Sequence, residues 1–128
     1  MKLQQTYTNI EQSKRLIELG VPTESADMFY CGEYIDDYMC PDVLSDEQPY
    51  SQIEQEVQKA NEKSIFSDCD CLPCWSVGRL IEIINICSMS NRCEVTLTYS
   101  NRWYVDHLVS LIALELRMGW FDFSKLEL

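Results

Sequence analysis

Between Arg15 and Lys59 the chain has no lysine and no arginine, while the same stretch carries eleven carboxylates from Glu18 to Glu56. The formal charge of the whole chain is -11, from 21 acids and 10 bases, so the ten acids outside this stretch balance the ten bases and the entire net charge lies inside it. A field of that sign repels phosphate backbones and anionic lipid headgroups, which argues against direct nucleic-acid or membrane-surface binding. Glycine is scarce as well. Gly20, Gly32, Gly78 and Gly119 stand apart from one another, which excludes a glycine-rich loop cradling phosphate. With one histidine, His107, there is no His-x-x-x-His pair for a metal and no second imidazole for acid–base chemistry. The first residues, MKLQQTYTNIEQSK, hold no apolar run that resembles a signal-peptide core, and later apolar runs are too short to span a bilayer. The expectation is a cytoplasmic protein without membrane attachment, its odd complement of seven cysteines held as reduced thiols.

What is present is enough for a core. Apolar residues make up 46% of 128 residues, with three Trp, seven Tyr and four Phe, so one folded domain over 1–128 is the economical expectation. Thr8 and Glu11 fit a capping box ahead of a helix over about 10–19, with Ile10, Ser13, Leu16 and Ile17 facing inward. Gly20 and Pro22 end it, and Thr23 can cap a single turn over 24–26. Residues 28–31 suit a short strand. From about 32 to 50 the acids, prolines and tyrosines predict a long acidic, irregular connection. Ser51 and Glu54 suggest a second capping box, starting a polar helix that ends near Lys63 and carries Ile53, Val57 and Ala60 on one face. Ser76 is the natural cap of the most apolar helix, 77–87, where Val77, Leu80, Ile81, Ile84 and Cys87 keep helical spacing and Ile83 and Ile86 widen the face. Alternation at 93–100 followed by 102–105 predicts a hairpin, with Asp106 capping a last helix over 107–118 whose Leu108, Val109, Leu111, Ile112 and Leu116 face inward. Gly119 ends that helix, and the tail from 120 should pack back. The expected fold class is α+β, about four helices packed on a small antiparallel sheet.

Three constellations bear on function. Cys69, Cys71 and Cys74 fall within six residues, and Cys71 with Cys74 has the C-x-x-C spacing of zinc and redox motifs. A zinc site would still need a fourth ligand from Cys31, Cys40 or His107, and Asp68 and Asp70 disfavour the thiolate. Cys74-Trp75-Ser76-Val77-Gly78 approaches the second half of a nucleophile elbow. It lacks the leading glycine, however, and follows Pro73, which makes a poor buried strand. The pairs Asp36-Asp37 and Asp46-Glu47 lack the alternating ligands and central glycine of a calcium loop and read as solvated charges that could meet a partner. The favoured function is therefore a non-enzymatic accessory or protein-interaction domain with no cofactor. Its partner would be a protein, suitably a basic one, contacting Asp36, Asp37, Asp46, Glu47 and exposed aromatics. A metal-binding or redox protein using Cys69, Cys71 and Cys74 is the alternative, and an acidic mimic of nucleic acid a lesser one.

Three stretches, EQSKRLIELGVPTESADMFY at 11–30, LPCWSVGRLIEII at 72–84 and DHLVSLIALEL at 106–116, resemble a family of uncharacterised small proteins encoded by gut Bacteroides-type bacteria and their phages or mobile elements. The resemblance rests on the E-Q-S-K helix, the A-D-M-aromatic segment and the helix start carrying Pro73, Trp75, Ser76 and Leu80. It implies an order of elements and a phage or mobile-element origin, and no catalytic residue.

Overall fold

The computed structural model of the chain describes residues 5–36, 38–64, 68–89 and 102–128, with backbone only at 102 and 103. Among these residues the fold is α+β, with α1 (Ile10–Glu18), β1 (Met28–Gly32), β2 (Asp42–Val43), α2 (Tyr50–Lys63), β3 (Asp70–Cys74), α3 (Val77–Cys87) and α4 (Arg102–Met118), and short 3-10 turns at Thr23–Ser25 and Phe123–Lys125. The three strands form one antiparallel sheet in the order β2-β1-β3.

Local rules account for most of these elements, with corrections at their edges. The capping box of α1 is formed by Asn9 and Gln12, one residue after the expected Thr8 and Glu11, because the Thr8 hydroxyl is committed elsewhere. The buried residues of α1 are Gln12, Ser13 and Leu16, while Ile17 is exposed. Gly20 takes φ +92°, the left-handed conformation that glycine adopts without a Cβ penalty. Thr23 does not cap the following turn; it is the turn's first residue, after Pro22. Helix α2 begins at Tyr50 without a side-chain cap, since the Ser51 amide donates to Glu24 Oε1 at 2.9 Å. In α3, Ser76 caps as expected and accepts the Arg79 amide at 3.0 Å.

Two expectations about strands are corrected. Residues 102–105 are the first turn of α4, not the second strand of a hairpin, and Asp106 lies inside that helix, not at its cap. The reason is periodic: Val105, Leu108, Val109 and Ile112, all buried, are spaced i, i+3, i+4 and i+7, so 102–105 extends the helical stripe. The expected strand at 93–100 lies outside the described residues. Pro73, expected to make a poor buried strand, sits in β3 at the edge of the described sheet opposite Phe29. An edge strand tolerates proline where its nitrogen faces away from the neighbouring strand. The connection at 32–50 is also less irregular than its composition implies. Asp42–Val43 pairs with the start of β1, and the Leu44 amide donates to the Asp27 carbonyl at 2.9 Å.

Buried side chains fall into two adjoining groups. The larger unites α3 and α4 with Leu16, Val21, Trp75 and the tail residues Phe121 and Leu126. The tail packs back as expected and is stitched to the end of α3 by Asp122 N–H to Cys87 O at 3.0 Å and Met89 N–H to Trp120 O at 2.7 Å. Glu115, on the inward stripe of α4, is 2% exposed and accepts the Ser88 hydroxyl at 3.0 Å. The smaller group lies on one face of the sheet, where Tyr30, Leu72 and Cys74 meet Tyr7, Ile10 and Met28.

Thr8 links the two groups. It is 0% exposed, and its amide donates to the Trp75 carbonyl at 2.9 Å. Its hydroxyl accepts the Trp75 amide at 3.1 Å and lies 2.7 Å from the Ser13 hydroxyl, while its carbonyl accepts the Tyr30 phenol at 2.7 Å. One residue thus joins the N-terminal segment, α1, β1 and the β3–α3 junction. Thr8→Val keeps the branched shape but strips the Trp75 amide and the Ser13 hydroxyl of a buried partner, so urea denaturation should show a loss of about 2–4 kcal/mol, with Thr8→Ser costing about half as much or less. A valine variant within about 0.5 kcal/mol of the parent would remove Thr8 from this role.

Candidate functional site

The start of α3, the turn before β1 and the segment after β2 enclose an open cleft of about 600 Å³. Its floor is set by bonds that follow from Trp75. The buried indole donates from Nε1 to Ser25 Oγ at 3.0 Å, fixing the 3-10 turn against β3. The next residue, Ser76, gives its amide to Asp27 Oδ1 at 2.8 Å and its hydroxyl to Asp27 Oδ2. Asp27 therefore occupies the positive end of α3, where a carboxylate is electrostatically favoured. Arg79 reaches back from the first turn of α3, donating from Nε to the Ser25 carbonyl at 2.7 Å and pairing with Glu82.

The walls carry five carboxylates, Glu24, Asp27, Asp46, Glu82 and Glu127, and one base, Arg79. Glu24 and Asp27 are spoken for by Ser51 and Ser76. Asp46 and Glu127 are exposed and come from parts of the chain far apart in sequence. Because Arg79 is already shared between Glu82 and a carbonyl, the surplus negative charge remains available to a cation entering the cleft.

The four acidic contact residues expected from the sequence do not act as one group. Asp46 lines the cleft, and Glu47 is exposed on the same turn outside the lining. Asp36 is exposed after β1, where it accepts the Tyr38 amide at 3.0 Å in a tight turn flanked by the exposed rings of Tyr34 and Tyr38. Asp37 lies outside the described residues. Glu24, Asp27, Glu82 and Glu127 were not singled out from the sequence. Their shared cleft depends on a sheet and a cap that bring residues 24, 46, 82 and 127 together, a convergence that linear charge counting does not register.

The thiols are divided by strand geometry. Residues three apart on a strand point to opposite faces, and the C-x-x-C pair lies on β3. Cys74 is 0% exposed on the face shared with Tyr30 and Leu72, its thiol 3.3 Å from the Thr8 carbonyl that it donates to. Cys71 is half-buried on the other face, 3.4 Å from the Tyr50 hydroxyl and directly across from Cys31. Cys69 has its backbone clamped by the Asn61 side chain, which accepts its amide at 2.8 Å and donates to its carbonyl at 2.9 Å. Among the described residues no group of three or more His, Cys, Asp or Glu could hold a metal ion, and all six described cysteines are free thiols. The Ser76 hydroxyl is engaged by Asp27, while His107 is exposed on α4. Among the described residues no helix is long and apolar enough to cross a membrane. Comparison of the chain with protein-family models, curated proteins and solved structures finds no significant match.

Burial raises the Cys74 thiol from its ordinary value near 9.0 to about 11, with the Thr8 and Tyr30 hydrogen bonds opposing the rise. Below about pH 9 folded and unfolded chains both keep this proton; between about pH 9 and 11 the unfolded chain ionises first, and stability is lost as pH rises through the folded value. The loss from this thiol should approach roughly 2–3 kcal/mol at pH 11. Urea midpoints compared between parent and Cys74→Ala should show a weaker alkaline decline in the variant. Equal declines would assign the effect to other groups.

Proposed function

We propose that this chain is a non-enzymatic protein-interaction domain whose acidic cleft receives a basic segment of a partner protein. The carrying observation is the cleft itself, a concave space bordered by five carboxylates and a single, already paired arginine. Charge of one sign around a concavity focuses the field and raises the encounter rate with cations. The side chain that suits it is a lysine or arginine presented on a flexible segment, its charge meeting Asp46, Glu82 and Glu127 while its stem lies along Ala26, Leu44 and Pro49. A cytoplasmic setting and a phage or mobile-element origin, the latter supported by the three resembling stretches, belong to the same proposal. Mimicry of nucleic acid is less favoured, because it calls for carboxylates at regular spacing on rigid elements and here Asp36, Asp46 and Glu47 sit in turns.

A labelled peptide of alternating lysine, arginine and glycine, titrated by fluorescence anisotropy, tests the reading. Binding should weaken steeply between low and physiological salt. Asp46→Asn combined with Glu127→Gln should reduce affinity about tenfold, on the order of 1.4 kcal/mol. Asp36→Asn, away from the cleft, should change it little. Salt-insensitive binding, or equal affinity for the double variant, would contradict the proposal.

A further inference from the structure

The face of the sheet opposite Tyr30 and Leu72 holds a pair of thiols that chain spacing does not reveal. In the β1–β3 ladder Cys31 is directly opposite Cys71, and Phe29 opposite Pro73. Proline has no N–H, so the Phe29–Pro73 pair cannot exchange two backbone hydrogen bonds and must be a non-hydrogen-bonded pair. Antiparallel pairs alternate between the two kinds, which makes Cys31–Cys71, two positions along, non-hydrogen-bonded as well. Such pairs bring Cα atoms to about 4.5 Å with their side chains close on one face. That spacing lies inside the roughly 4.4–6.8 Å range that disulfides span. Cys31 is exposed and Cys71, beside it on the neighbouring strand, is half-buried against Tyr50. The first is the more open to solvent of the two.

We propose that Cys31 and Cys71 form a dithiol site that a low-molecular-weight disulfide converts to a cross-strand disulfide, locking β1 to β3. The Cys31 thiolate attacks the small disulfide, forming a mixed disulfide and releasing one small thiolate. The Cys71 thiolate then attacks the Cys31 sulfur, the bond to the small thiol breaks, and a second small thiolate leaves. Two electrons pass from the protein thiols to the small disulfide, and the two protein protons end on the two released thiols. Burial and neighbouring acids hold both protein thiols above their usual ionisation range, so the exchange quickens as pH rises. The bridge would close the chain from 31 to 71, including the acidic connection and α2, and would fix the root of the turn bearing Tyr34, Asp36 and Tyr38.

The test is to incubate the reduced, folded protein with excess oxidised glutathione at about pH 8.5, quench with acid, and map peptides by mass spectrometry. The expected product is the intact mass less two hydrogens, one cross-link between the Cys31 and Cys71 peptides, and a rise in melting temperature on the order of 10 °C that reductant reverses. Cys69→Ser should leave the cross-link intact, and Cys71→Ser should stop at a glutathione adduct on Cys31. A wild-type product that remains the Cys31 adduct, or a bridge that includes Cys69 and leaves Cys71 free, would overturn the proposal.

Discussion

A buried threonine with every polar group engaged imposes a condition on everything around it. Thr8 donates and accepts against the backbone of Trp75 on one side, and meets Ser13 and Tyr30 on the other. In a site from which water is excluded, each such group is costly to leave unmade. The N-terminal segment, α1, the central strand and the β3–α3 junction must therefore be present together. The neighbouring bridge between Tyr7 and Ser76, and the Val77 amide donating to the Thr6 carbonyl at 2.9 Å, continue the same pairing. Hydrophobic burial supplies the bulk of the driving force in α3 and α4, but it is non-directional. The hydrogen bonds around Thr8 fix which elements meet and in what register.

The cleft inherits its geometry from that junction. Trp75 is held at its backbone by Thr8 and at its indole by Ser25, and Ser76 follows with a cap shared between Asp27 and the first turn of α3. Carboxylates that would repel one another in a mobile loop are thereby placed around one concavity. Two of them satisfy structural donors. The rest, with Arg79 already paired, leave the site negative and suited to a cation.

Elements governed by near neighbours were legible in the sequence. Helix α3, its Ser76 cap and the glycine stop after α1 all follow from helical spacing and end signals within a few residues. Partners distant in sequence were not legible. Thr8 carries a plausible local role as a cap, and only its contact with Trp75, 67 residues on, explains why Asn9 performs that role. The segment 102–105 is too short for alternation and helical spacing to be told apart without Val105 seated beside Leu108 and Val109. The Cys71–Cys74 spacing points to a chelate only if the chain turns between them; a strand sends the two thiols to opposite faces. Two-residue β2 carries no pattern of its own and exists because β1 offers it an edge. Glu115 shares the inward spacing of Leu108 and Ile112, so its burial was readable from position, though its charge argued otherwise.

Hydrogen exchange of the folded protein, followed amide by amide, tests the central place of Thr8 most directly. If the junction is fixed as described, the Thr8, Trp75 and Val77 amides exchange only through global unfolding and rank with the slowest amides of α3. Exchange of the Thr8 and Trp75 amides many times faster than that of Leu80 and Ile84 would show the N-terminal segment opening independently, and would contradict the account.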